Sequence, residues 1–165
     1  MTSHDFHSLR VAAVRPEADA LVVTLDVPPA AAETFRFKPG QHLALRATLA
    51  GEDLRRTYSI CSAIGEPLRI AIKRVDGGRF STWAAANLRA GATLDVMPPS
   101  GRFTLPEHSG KPRNIVAFAA GSGITPVIAM IRHALATEPK SRITLVYGNR
   151  GHDTILFAGE LEDLK

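Results

Sequence analysis

Hydrophobic and polar positions divide the chain into two differently patterned stretches. In the first, short apolar or alternating runs recur at 9–14, 21–27, 42–48, 54–60, 68–75 and 93–97. Alternation puts successive side chains on opposite faces of a strand, so these runs read as β-strands. Pro28-Pro29, Pro39-Gly40, Pro98-Pro99 and Gly101 punctuate them, because these residue types fix or free φ at turns. Several short strands at this spacing predict a closed or nearly closed barrel. One helix interrupts them over roughly 81–88, with Ser81 as its N-cap.

Near residue 106 the pattern changes. The segment 106–112 is polar and turn-rich and reads as a linker. A continuous apolar run at 115–119 then resembles a buried strand of a parallel sheet. A glycine turn follows, and then a helical face of Val127, Ile128, Ile131, Ala134 and Leu135. A second apolar strand, 143–147, starts 28 positions after the first, a separation that suits a βαβ unit. A last helical pattern occupies 155–164. The expected fold is an N-terminal antiparallel Greek-key β-barrel with one short helix, over residues 1–106. An incomplete α/β Rossmann-like nucleotide-binding domain, over 113–165, is expected to follow.

Composition narrows the function classes. A hydrophobic fraction of 45% supports a packed core rather than disorder. The net charge is +4, with 15 Arg against 5 Lys. These basic residues are scattered, with short pairs such as Arg55-Arg56 and Lys73-Arg74, and form no continuous stripe for nucleic acid. Cys61 is the sole cysteine, so the chain can hold neither a disulfide nor an iron–sulfur cluster on four thiolates. It reads as a small buried thiol. No apolar run reaches the ~20 residues of a membrane span, and 1–9 lacks the apolar core of a signal peptide. A soluble cytoplasmic protein with no membrane partner is expected. His4 and His7 fall in a loose terminus, and His42, His108, His133 and His152 have no metal-ligand spacing, so no metal site is expected.

Three short motifs carry candidate chemistry. Arg56-Thr57-Tyr58-Ser59 lies on a predicted strand, where Arg56 and Tyr58 share a face. A guanidinium and an aromatic side by side suit a ligand with a phosphate and a planar ring, although such a pair is also ordinary surface. Ser59 points to the other face unless the strand bends. Gly77-Gly78-Arg79-Phe80-Ser81 precedes the short helix, where free N–H groups attract phosphate; taken alone it is an ordinary turn. Gly121-Ser122-Gly123-Ile124-Thr125-Pro126 joins strand to helix in the position of a dinucleotide phosphate turn, or of a simple tight turn. Pro126 stands where the Rossmann fingerprint has its third glycine. The second strand ends in Tyr147-Gly148-Asn149-Arg150, without the acidic residue that holds a ribose, which disfavours an ordinary NAD dehydrogenase.

In order, Pro39-Gly40-Gln41, Arg56-Thr57-Tyr58-Ser59, Gly77-Gly78-Arg79-Phe80-Ser81, Pro99-Ser100-Gly101-Arg102-Phe103 and Ala120-Gly121-Ser122-Gly123-Ile124-Thr125-Pro126 resemble the ferredoxin–NADP reductase superfamily. Within it the sequence is most similar to the reductase components of ring-1,2-epoxidising phenylacetyl-CoA epoxidase systems. The resemblance implies a flavin-dependent oxidoreductase that passes electrons from NAD(P)H through FAD to an electron acceptor protein, either a ferredoxin-like domain or an oxygenase component. It implies that Arg56 holds the flavin's phosphate region, that Thr57 is a further cofactor-binding residue, and that Tyr58 and Ser59 meet the flavin ring as the catalytic pair. Ile72 and Lys73 would flank the flavin, and Gly78, Arg79, Phe80 and Ser81 would cradle its pyrophosphate. Gly121, Gly123, Thr125, Pro126, Asn149 and Arg150 would face the nicotinamide nucleotide. Family members have a nucleotide sheet of about five or six strands, against two here, so the expectation is a fragment. The alternative is a non-catalytic flavin-binding electron-transfer subunit that needs a partner to complete its nucleotide domain.

Overall fold

The structure, a computed structural model, describes residues 5–165. The expectations for His4 and for the start of any leader segment lie outside the described residues. Six antiparallel strands form the first unit: β1 (His7–Glu17), β2 (Ala20–Asp26), β3 (His42–Leu49), β4 (Glu52–Ser59), β5 (Leu68–Lys73) and β6 (Thr93–Val96). Their order is β4-β3-β6-β1-β2-β5. The insertion of β6 between β3 and β1 is the Greek-key crossover. An Ile60–Ile70 bridge joins the two ends, and the Cys61 N–H donates to the Arg69 carbonyl at 2.9 Å. The sheet therefore curls round and closes at this one point, while β4, paired among the described residues with β3 alone, keeps its other edge open along Glu52–Ser59. Leu9, Val23, Leu43, Leu45, Ile70 and Leu94 fill the barrel interior.

A short helix, α1 (Arg79–Asn87), follows β5 and lays Phe80 and Ala84 into that core. It begins two residues earlier than expected, with Gly78 and not Ser81 as N-cap. The reason is local. The Ser81 hydroxyl turns back to accept the Val75 N–H at 3.2 Å and to donate to the Gly78 carbonyl at 3.2 Å, so Ser81 serves the first turn from inside it. His7 also departs from expectation. It belongs to β1 and meets Phe35 edge-on, with ring centroids 5.4 Å apart.

The second unit pairs β7 (Asn114–Ala120) and β8 (Arg142–Gly148) in parallel, connected through α2 (Ile124–Thr137). β7 is not buried on both faces. Ile115, Ala117, Ile143 and Leu145 turn toward α2, while Val116, Phe118 and Val146 stay exposed, Phe118 by 73%. Among the described residues, a helix covers one side of this sheet only. The predicted last helix is also shorter, α3 (Ala158–Glu162). Phe157 adopts a left-handed backbone with φ 61°. The Leu156 N–H goes to Tyr147 Oη at 3.2 Å, and the Phe157 N–H goes to Glu17 Oε1 at 2.9 Å. These bonds draw both side chains into a buried layer and take their amides out of helical register.

That layer joins the two units. Ala20, Val22, Cys61 and Ala71, on the outer side of the barrel, pack with Ile124, Val127, Ile128, Leu156 and Phe157. β2 and β5 are thus buried on both faces, which accounts for their continuous apolar runs. Around the layer, charges alternate. Arg15 pairs with Glu17 and with Glu160, Arg132 pairs with Glu160 and Glu66, and Arg69 pairs with Glu66. The linker is clamped where Arg113 grips Glu138 with two nitrogens, at 2.8 and 2.6 Å. Glu138 is only 3% exposed. Among the described residues, no helix is long and apolar enough to cross a membrane.

Candidate functional site

A cleft of about 480 Å³ opens between the barrel and the second unit. Its barrel wall is Arg56, Thr57, Tyr58 and Ser59 of β4, Ala71 and Lys73 of β5, and Val75 with Gly78, Arg79, Phe80 and Ser81 at the start of α1. Ser122, Gly123, Thr125 and Pro126 form the facing wall. Three motifs that lie far apart in the chain therefore meet at one place.

On β4, Arg56 pairs with Leu45 and Tyr58 with Leu43, both buried in the barrel. Directly opposed residues share a face, so Arg56 and Tyr58 stand on the inward side where the barrel wall opens into the cleft. Tyr58 is half-buried beside Phe80, with ring centroids 5.8 Å apart and planes tilted by 36°. Phe80 is in turn held by Trp83 at 5.4 Å. Burial pushes the Tyr58 phenol above its usual pKa, and the Arg56 charge pulls the other way. The phenol is neutral at physiological pH and offers a flat, uncharged wall. Arg56 donates to the Arg55 carbonyl at 2.7 Å, and among the described residues no carboxylate pairs with it. Ser59 faces away by alternation, yet it borders the cleft. It is the last residue of β4, and the next residue, Ile60, donates its N–H to the Gln41 carbonyl at 2.9 Å while bridging Ile70 of β5.

At the start of α1 the N–H groups of Arg79, Phe80 and Ser81 have no backbone acceptor among the described residues, and hydrogen bonding resumes with Thr82 N–H to the Gly78 carbonyl at 3.0 Å. Gly78 packs closely: a Cβ there would stand 2.6 Å from Ser81 Oγ and 2.9 Å from Val75. Arg79 is exposed and paired with Glu52 at 2.8 Å. Across the cleft, residues 121–123 make one tight 3-10 turn before α2. Thr125 is buried, and its hydroxyl donates to the Ser122 carbonyl at 2.9 Å. Lys73 Nζ pairs with Asp19 at 3.0 Å.

Four of the singled-out positions do not line the cleft. Ile72 is 2% exposed and points into the barrel core, so it has only backbone to offer a ligand. Gly121 opens the 121–123 turn, where a Cβ on it would stand 3.8 Å from Lys73 Nζ, but it is not part of the lining, and Asn149 and Arg150 follow the end of β8, also outside it. Ala71, Val75 and Ser122 line the cleft without having been singled out. Ser122 lies inside a recognised motif, whereas the small size of Ala71 within an apolar strand was no signal. Cys61 is buried in the layer between the units, its thiol pushed up to about 12 chiefly by burial, and it does not line the cleft.

As they stand among the described residues, a guanidinium without a carboxylate partner and three free amides at a helix start combine with a neutral phenol face to fit an elongated anion joined to a flat ring. The sequence matches the oxidoreductase FAD-binding domain family over residues 12–105 and the oxidoreductase NAD-binding domain family over 118–165. The chain belongs to the ferredoxin–NADP reductase-like FAD- and NAD-binding oxidoreductases. It is 48% identical over 162 residues to a component of the 1,2-phenylacetyl-CoA epoxidase of Escherichia coli (strain K12), covering 97% of this chain and 46% of that protein. The chain thus spans about half the length of the curated relatives it matches.

Solved structures agree with this membership. The FAD/NAD-binding domain of nitric oxide dioxygenase from Vibrio cholerae superposes with a TM-score of 0.84 at 28% identity, covering 98% of this chain and 70% of that one. Phthalate dioxygenase reductase, described as a modular structure for electron transfer from pyridine nucleotides to [2Fe-2S], gives 0.79 at 30% identity, over 94% and 47%. A member of this family carries an FAD-binding and an NAD-binding module in series, and the cleft lies where the two meet. Among the described residues no group of His, Cys, Asp and Glu is placed to hold a metal ion.

Proposed function

We propose that this chain is the cofactor-binding module of an NAD(P)H-dependent flavoprotein reductase that delivers electrons to a ferredoxin-like domain or an oxygenase component in the cytoplasm. The observation that carries the reading is the convergence of the β4 motif, the α1 start and the 121–126 turn on one cleft. Residues 1–106 are assigned to FAD and 113–165 to the nicotinamide nucleotide.

FAD, when bound, supplies the conversion of a two-electron hydride donor into single-electron steps. The chain's own residues hold and shield it. Arg56 and the amides of Arg79, Phe80 and Ser81 take the diphosphate, with Gly78 allowing its close approach and Thr57 beside it. Tyr58 lies against the ring, and the Ser59 hydroxyl hydrogen-bonds near its reactive nitrogen. The backbone of Ile72 and the Lys73 cation flank the flavin. Gly123, Thr125 and Pro126, backed by Gly121, receive the nicotinamide side, with Asn149 and Arg150 toward the rest of the nucleotide.

An FAD titration followed by visible absorbance tests the assignment. Arg56→Ala and Tyr58→Ala should each weaken binding by about tenfold or more, the equivalent of about 1.4 kcal/mol. Unchanged affinity in both variants would overturn it. A second reading, a flavin-binding electron-transfer subunit whose nucleotide side is completed by further polypeptide, is favoured by the exposed apolar face of Val116, Phe118 and Val146. Rapid reduction of bound flavin by NAD(P)H in the isolated chain would eliminate that second reading.

A further inference from the structure

We infer that Tyr147 is a positioning residue for the nicotinamide nucleotide, its hydroxyl tying the 121–123 turn to the buried 155–157 segment. The inference rests on the assignment of that turn to the nucleotide. Tyr147 lies on β8 opposite Ala119, two residues before the turn begins, so its ring reaches over the end of β7. Its hydroxyl donates to the Gly121 carbonyl at 3.0 Å and accepts the Leu156 N–H at 3.2 Å. A phenol has one proton to donate and lone pairs to accept, so one group satisfies both partners.

The turn needs such a tie. Gly121 has φ +48°, a left-handed conformation open to glycine. Its carbonyl also accepts the Ile124 N–H that opens α2. The Tyr147 hydroxyl is thus the side-chain contact that fixes the direction of this carbonyl, and with it the backbone carrying Ser122, Gly123 and Thr125 into the cleft. At the other end of the hydroxyl, Leu156 and Phe157 are anchored in the layer against the barrel, with the Phe157 N–H on Glu17. The phenol therefore transmits the docked position of the barrel to the turn. Burial raises its pKa, as do the Asp19 and Glu17 carboxylates, while the Leu156 amide and Asn149 oppose them; the hydroxyl keeps its proton at neutral pH.

Tyr147→Phe retains the ring and removes the tie. Hydrogen exchange in the 121–125 segment should accelerate at least about fivefold, and the dissociation constant for NAD(P)H should rise about five- to tenfold, the range of one lost hydrogen bond. FAD affinity should stay within about twofold, because the Arg56 and Tyr58 side is untouched. A merely structural role would weaken both cofactors together. Unchanged exchange at 121–125, or equal losses for both cofactors, would overturn the inference. If the wild-type chain binds no NAD(P)H, the functional reading fails while the exchange data still decide the tie. If Tyr147→Phe does not fold, the wild-type chain decides: NAD(P)H should slow exchange of the Leu156 amide, and no change there would overturn the inference.

Discussion

At the scale of single residues, the flavin site proposed above depends on how near the backbone can come to an anion. Gly78 has an ordinary φ of −71°, so the constraint on it is space and not conformation. The methyl of Gly78→Ala would meet Ser81 Oγ and the Val75 carbonyl at distances that real contacts do not reach. Those atoms must move, and Ser81 holds the turn through Val75 and Gly78. The expected outcome is a fall in FAD affinity of about tenfold and a loss of about 1–3 kcal/mol in stability, the usual range for overpacking. Calorimetry for stability and absorbance titration for FAD would check it, and wild-type values for both would refute the steric account.

Among the elements, the linker clamp carries a pH signature. Hydrogen bonds from Arg113 hold the Glu138 carboxyl below the usual carboxylate range, aided by Ser141 and opposed by burial. A carboxylate whose folded pKa is depressed stabilises the fold fully above its unfolded pKa, and that stabilisation is lost as pH falls through the folded value. Wild-type stability should therefore decline on acidification below about 4.5, the region of ordinary glutamate titration. Glu138→Gln should be less stable at neutral pH and should show a flatter acid slope, measured by thermal melts across pH. Parallel slopes would remove Glu138 from the account.

The same scale shows what the sequence could and could not disclose. All six barrel strands were legible because alternation and proline or glycine breaks are local signals. Helix ends were not. Ser81 looked like a cap, and only the fold reveals that its hydroxyl reaches backward to Val75. Residues 155–157 had helical spacing, but the distant Glu17 and Tyr147 capture two of their amides. The cleft was legible as motifs, since Arg56, Tyr58, Gly78 and Thr125 each sit in a recognisable local pattern. Tyr147 was invisible as a site residue, because its importance arises from a carbonyl 26 positions away and from no spacing in the sequence.

In the whole molecule, the barrel and the second unit share one packed layer, so they should unfold together. Ile128 is fully buried in that layer, from the α2 side. Ile128→Ala should cost about 2–5 kcal/mol and lower the melting temperature of both units in a single transition. Calorimetry resolving two separate melts in the wild-type chain would contradict this coupling.

The two-sided burial of β2 and β5 also bears on how readily these modules can be exchanged. Val23 and Ile72 answer to the barrel interior, while their immediate neighbours Val22 and Ala71 answer to the docked unit. The two strands act as a party wall, and neither occupant can remodel its side without disturbing the other. A graft of this barrel onto a foreign nucleotide module would succeed only if the newcomer presents a face shaped to Ala20, Val22, Cys61 and Ala71.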